Sequence, residues 1–263
     1  MNSAHTVIVL HAHPDDEAIF TGLAIRCLTD SGARVVLMTA TDGAAGVPRI
    51  ALPRGETLRS RRLAELERAC NVLGVSRLEV LDYVDSGAHS GPYRARTPGA
   101  APISEVAGRV ARIADREGAS TVVHYAPGGI YGHIDHVQVH RAGTKVARDL
   151  RIAGCQATVD AAVLRTGPGR VLHCAAHGRA EMGIPAAGIS VTVDAAGSDL
   201  AAKRAAMAAH ASQIGPVDLD PSGFAAAYGR EWFVREGKPG ALDALRRAAE
   251  QPVTTESGAA DAW

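Results

Sequence analysis

The chain has 263 residues, and 28 Lys+Arg stand against 28 Asp+Glu, so its formal charge is zero and no bulk attraction to nucleic acid or an anionic membrane follows. With 46% hydrophobic residues, 28 glycines and 13 prolines, the composition is that of a chain that buries a core, neither disordered nor fibrous. The longest uncharged stretch, 118–134, is broken by His124, Pro127, His133 and several glycines, which excludes a membrane helix of about 20 apolar residues there.

The N-terminal MNSAHTVIVLH has no basic region before its apolar run, so it does not read as a signal peptide and the expected compartment is the cytoplasm. Residues 6–10, Thr-Val-Ile-Val-Leu, form a β-branched run suited to a strand buried on both faces. Leu23, Ala24, Cys27 and Leu28 recur at helical spacing until Ser31-Gly32. A second strand is predicted at 35–39 and a second helix along Leu63, Leu66, Cys70 and Leu73, closed by Gly74. A strand at 78–81, a helix at 103–114, a strand at 121–124, a helix striped by Val139, Ala142, Val146 and Leu150, and a strand at 157–164 continue the alternation. The expected fold is therefore α/β and Rossmann-like: a single domain with a mostly parallel sheet, helices on both faces, and ligands gathered at the carboxyl ends of the strands. After Gly167 the pattern changes to a strand at 189–193 and an Ala-rich helix at 199–212. The domain is expected to span 1–248, with 249–263 as a polar, flexible C-terminal tail.

Cys27, Cys70, Cys155 and Cys174 are scattered without a C-x-x-C pair, which argues against a zinc knuckle or a redox dithiol. His173, Cys174 and His177 read as coincidental spacing. The first strand instead runs into His11-Ala12-His13-Pro14-Asp15-Asp16-Glu17, where a dinucleotide fold would need G-x-G-x-x-G. His13 and Asp16, at i and i+3 across a turn stiffened by Pro14, suit one shared cation and leave Asp15 as a spare base; His11 is expected to be a hydrogen-bonded core residue. A catalytic zinc centre takes three such ligands and an open position. The loop after the fourth strand, Tyr131-Gly132-His133-Ile134-Asp135-His136, offers His136 as the third ligand, His133 as a neighbour or substrate-facing group, and Asp135 as the carboxylate that fixes an imidazole tautomer.

Ala12-His13-Pro14-Asp15-Asp16-Glu17 resembles the signature of the LmbE/PIG-L deacetylases, zinc-dependent hydrolases that remove acetyl from N-acetylglucosaminyl compounds. Thr41-Asp42-Gly43, Arg62-x-x-Glu65-Leu66, Asp85-Ser86-Gly87, the Tyr131–His136 motif, the spacing of Lys203, His210, Ser212 and Gln213, and Glu231-x-Phe233 extend the likeness from about Val7 to Glu236. Two residues depart from the family pattern: Ile134 stands in place of proline and Ala18 in place of serine or threonine.

The resemblance implies zinc held by His13, Asp16 and His136, Asp15 as general base, His133 as an electrostatic or acid partner, and Tyr131 near the oxyanion. Arg62, Asp42 and Asp85 are candidates for sugar hydroxyls. The expected substrate is a small N-acetylated amino sugar, released as free amine and acetate; nucleic acid and membrane are not expected partners, and a homo-oligomer is open. The same family also implies a different reading, an amidase acting on a larger mycothiol-conjugate-like amide. A non-catalytic sugar-binding protein is disfavoured because no ligand or base is missing. An HD-type phosphohydrolase is disfavoured because that architecture is all-helical.

Overall fold

The computed structural model describes residues 5–87, 95–166 and 182–249. The β-branched runs build the sheet. Five strands, β1 (Thr6–His11), β2 (Arg34–Thr41), β3 (Arg77–Tyr83), β4 (Thr121–Tyr125) and β5 (Ala153–Thr158), are parallel. With β6 (Val191–Asp194) and β7 (Arg230–Glu236) they form one seven-stranded sheet in the order 3-2-1-4-5-7-6, where β7 is antiparallel to both its neighbours. Val7 of β1 pairs with Val35 of β2 on one side and Thr121 of β4 on the other. The chain order reverses between β1 and β4, and the crevice beyond their carboxyl ends is where a doubly wound sheet places its ligands.

The helices are α1 (Asp16–Phe20), α2 (Gly22–Asp30), α3 (Leu58–Leu73), α4 (Ile103–Arg116), α5 (Gly129–Gly132), α6 (Ile134–Leu150), α7 (Ala161–Thr166), α8 (Ser198–Ala209), α9 (Pro221–Tyr228) and α10 (Ala241–Ala249). Because side chains alternate along a strand, Val7, Val9, Val35 and Leu37 pack with Leu23, Leu28, Leu66, Leu73 and Met207 of α2, α3 and α8. Ile8, Leu10, Val36 and Met38 pack on the opposite face with Val106, Val110, Val139 and Val146 of α4 and α6. Each central strand is thus buried twice, which is why it reads as an unbroken apolar run. No helix among the described residues is long and apolar enough to cross a membrane.

The expected strand over 157–164 is displaced: β5 ends at Thr158, and Asp160 accepts from the Ala162 amide at 2.7 Å to open α7. Its true start is hidden because Ala153-Gly154-Cys155 lacks strand formers. Gly154 eases the β5–β7 approach, since a Cβ there would stand a tight 3.0 Å from Glu236 Cβ. The Ala-rich helix ends at Ala209 rather than 212. Elements α9, β7 and α10 were not anticipated as such. The first residue of the expected tail closes α10, while 250–263 and the His173–His177 segment lie outside the described residues.

Candidate active site

The period of two that buries β1 on both faces continues into its loop. His11 is fully buried, 2.9 Å from the Tyr125 hydroxyl and 2.8 Å from Thr21 Oγ1, and burial pushes its pKa down to about 4. It is a core residue. His13, two positions on, emerges at the carboxyl edge. There His13 Nδ1 stands 3.2 Å from His136 Nε2, and Asp16 Oδ2 stands 3.4 Å from each. Around a tetrahedral ion with bonds of about 2.0–2.2 Å, neighbouring donors lie about 3.3–3.6 Å apart, so these three atoms fit one zinc-like cation with a position left open.

The far side of the His13 ring is also defined. Its Nε2 lies 3.3 Å from Asp135 Oδ2 and 3.5 Å from Asp85 Oδ1, the carboxylate–imidazole contact that fixes a tautomer with Nδ1 free to ligate. Asp135 is held in turn by the Ser86 amide at 3.0 Å and hydroxyl at 2.6 Å. Against its burial, the hydrogen bonds of Asp135, Asp16 and Asp85 raise the His13 pKa well above the ordinary value. Burial resists ionisation of Asp85 too, but the hydrogen bond with His13 and its charge pull its pKa down.

Asp15 has φ 110°, a conformation that costs a residue with a Cβ about 1–3 kcal/mol and persists only where its surroundings impose it. Those surroundings are present. Buried Arg62 of α3 donates to the Pro14 carbonyl, to Gly43 O at 2.8 Å and to Asp15 Oδ2 at 3.0 Å. The Asp15 amide donates to Glu17 Oε2 at 2.9 Å, and the other Glu17 oxygen meets His210 Nε2 at 2.5 Å, both side chains fully buried. Burial pushes the Asp15 pKa up to about 6 in spite of the Arg62 charge, with Asp16 adding to the rise.

His133 caps α6, its Nδ1 accepting from the Asp135 amide at 3.2 Å, which leaves Nε2 as the protonated nitrogen of the neutral ring. Burial, then the charges of His13 and His136, hold its pKa at about 4. Ile134, in place of proline, is the first residue of α6, where the amide has no intrahelical partner and either residue serves. The Tyr131 hydroxyl is 3.3 Å from His136 Nε2. Gly129, at φ 57°, lets the preceding turn pass, since a Cβ there would meet His136 Cβ at 2.6 Å.

A cavity of about 200 Å³ is lined by His13, Asp15, Asp16, Arg62, Asp85, Tyr131 and His133, together with Ala45–Val47 and Gln213. The structure thus gathers nine of the ten sequence-selected residues: eight converge on the cavity or its ligand atoms, and Asp135 backs His13. The exception is Asp42, whose oxygens are taken by the Ala44 amide at 3.0 Å and Arg59 Nε at 2.6 Å; it caps a loop and does not line the cavity. Arg62, selected for sugar contacts, is first of all the clamp of the Asp15 turn. Sequence reasoning gave no role to Tyr125, Ser86 or the Glu17–His210 pair. Glu17, Ser86 and His210 stand inside the motifs that carry the family resemblance, whereas Tyr125, one residue beyond the predicted strand, stands in none of them.

The PIG-L family model, described as GlcNAc-PI de-N-acetylase, matches residues 8–147, more than half of the chain. The chain belongs to the PIG-L family. A 1D-myo-inositol 2-acetamido-2-deoxy-alpha-D-glucopyranoside deacetylase of Kineococcus radiotolerans is 34% identical to this PIG-L chain in an alignment 260 positions long, gaps included, that covers 84% of the chain and 72% of that relative. Among solved structures, the A40926 pseudoaglycone deacetylase Dbv21 superposes with a TM-score of 0.64 at 16% identity, covering 90% of this chain and all of the other. The zinc-inhibited form of teicoplanin deacetylase Orf2 does so with a TM-score of 0.60 at 17% identity, covering 89% and 100%. At such identities these two likenesses concern the fold.

Proposed function

We propose that this chain is a zinc-dependent N-deacetylase that hydrolyses the acetamide of a 2-acetamido sugar, releasing acetate and the free amine. The observation that carries the reading is the triangle of His13 Nδ1, Asp16 Oδ2 and His136 Nε2 at one edge of a cavity that also holds Asp15. The relative from Kineococcus, named for a 2-acetamido-glucopyranoside, supports the substrate class. A cavity of about 200 Å³ is below the usual range for a drug-sized ligand, about 300–1,000 Å³, which favours a single sugar ring with the remainder of the molecule outside.

Held by those three residues, zinc would supply Lewis acidity, polarising the amide carbonyl and acidifying a water. The chain's own groups do the rest. Asp15 takes the proton of the attacking water as the C–O bond forms. The Nε2–H of neutral His133 and the Tyr131 hydroxyl donate to the oxygen on which negative charge develops. Asp15 then returns its proton to the departing nitrogen as the C–N bond breaks. Arg62 and Asp85, on the cavity wall, orient the sugar hydroxyls.

Metal analysis of protein purified without chelator is expected to find one divalent ion per chain, and acetate release is expected from some member of a panel of 2-acetamido sugars. Absence of stoichiometric metal binding on zinc titration overturns the reading. Tyr131→Phe and His133→Ala are each expected to keep the metal and lose about 10²–10³ in kcat, the usual effect of deleting one oxyanion donor. Unchanged kcat in both would remove this loop from the chemistry.

A further inference from the structure

Tyr125 is fully buried at the end of β4, and every part of it is engaged. Its hydroxyl donates to Asp16 Oδ2 at 2.7 Å and accepts from the Ala12 amide at 2.9 Å. A phenol has one proton and two lone pairs. With the proton given to Asp16, the 2.9 Å contact from His11 Nδ1 is a second donation to the oxygen, and His11 Nε2 stands 2.8 Å from Thr21 Oγ1. The hydroxyl is therefore saturated and cannot turn. Its ring lies flat on His136, with centroids 4.2 Å apart and planes 8° from parallel. Its carbonyl accepts from His124 Nδ1 at 3.0 Å and from His140 Nδ1 at 2.8 Å, the latter one helical turn beyond His136 on α6.

Two elements carry the three donor atoms, the turn after β1 and the start of α6, and Tyr125 bonds or stacks on both. We infer that Tyr125 is a positioning residue of this site, its hydroxyl fixing the ligand oxygen of Asp16 and its ring fixing the plane of His136. It touches neither the cavity nor the reacting atoms. Its effect is on the preorganisation of the donor set, so it acts on metal affinity first and on turnover only through it. Partners of this kind, one contact behind the ligands, typically contribute 10–100-fold in affinity.

The inference rests on the metal-site reading above, and zinc titration of the unaltered chain run in parallel separates the two. If that chain binds no zinc, the metal-site reading fails. If it binds zinc and Tyr125→Phe binds it equally, only the role of Tyr125 fails. Tyr125→Phe keeps the stacked ring and removes the hydroxyl. Competition with a chromophoric chelator, at a temperature well below unfolding of either apoprotein, is expected to show zinc held about 10–100-fold more weakly, with an altered visible spectrum in the cobalt-loaded form. Should the apo variant unfold, the rate of zinc release from the loaded variant into excess chelator is expected to rise by the same factor. A variant with lower apo stability but unchanged zinc affinity and release overturns the assignment. So does a variant that fails to fold with saturating zinc, because the phenol would then be a structural prop.

Discussion

Asp15→Asn is expected to lower deacetylation by about 10²–10⁴ while zinc occupancy and fold persist. The side chain keeps its size, and its amide oxygen still accepts from Arg62, so the strained turn retains the clamp that imposes it. What disappears is the capacity to take a proton. Asp16→Asn, one residue on, is expected to fail differently: Asp16 Oδ2 is one corner of the donor triangle, and a neutral amide is a poor zinc ligand, so metal retention falls first. Metal content and kcat measured on both variants check this. Loss of zinc from Asp15→Asn with zinc retained in Asp16→Asn would exchange the two roles, and full activity of Asp15→Asn would remove the proposed base.

Lys203→Met is expected to lower the free energy of unfolding by about 3–5 kcal/mol, the usual consequence of stranding one member of a buried ion pair. Lys203 Nζ and Glu231 Oε1 are 2.7 Å apart with both side chains buried, and Glu231 also accepts from the Leu23 and Ala24 amides, which opens α2. Gly22 leaves the passage for the lysine stem, since a Cβ there would lie 3.1 Å from Lys203 Cγ. Adding Glu231→Gln removes the stranded charge and keeps an acceptor oxygen for one of those two amides, so the double variant is expected to recover part of the loss. Urea denaturation of the two variants measures both numbers. A single-variant loss below about 1 kcal/mol would show that burial of the pair costs as much as its attraction returns.

Most of the sheet was legible because the central strands are buried on both faces, and Val7–Leu10 or Val35–Met38 therefore advertise themselves as apolar runs. The far edge was not. β5 opens on Ala-Gly-Cys, which lacks strand formers, and β7 mixes Arg230, Arg235 and Glu236 with Trp232 and Phe233. In the site, the convergence of His13, Asp16 and His136 was legible because a proposed metal site restricts residue type and spacing. Asp42 carried the same chemical label as Asp85, and only the fold shows that one caps a loop and the other faces His13. The roles of Tyr125 and the Glu17–His210 pair were hidden for a different reason: a buried phenol or Glu–His contact has no restricted spacing, and the partners lie 109 and 193 positions away.

That last separation bears on when the molecule becomes an enzyme. During synthesis, β1 and its acidic turn leave the ribosome long before α8, with Glu17 destined for a site fully shielded from water and the Asp15 backbone in a conformation it does not favour alone. Until His210 is synthesised, that carboxylate lacks its buried ion-pair partner, and its burial is uphill. A nascent chain that has passed His136 but not reached His210 holds the proposed zinc ligands and base without the Glu17–His210 contact behind the Asp15 turn, so the turn is expected to stay open and hydrated. Competence for hydrolysis is thus postponed until His210 has been made, when one imidazole closes a turn made 193 residues earlier.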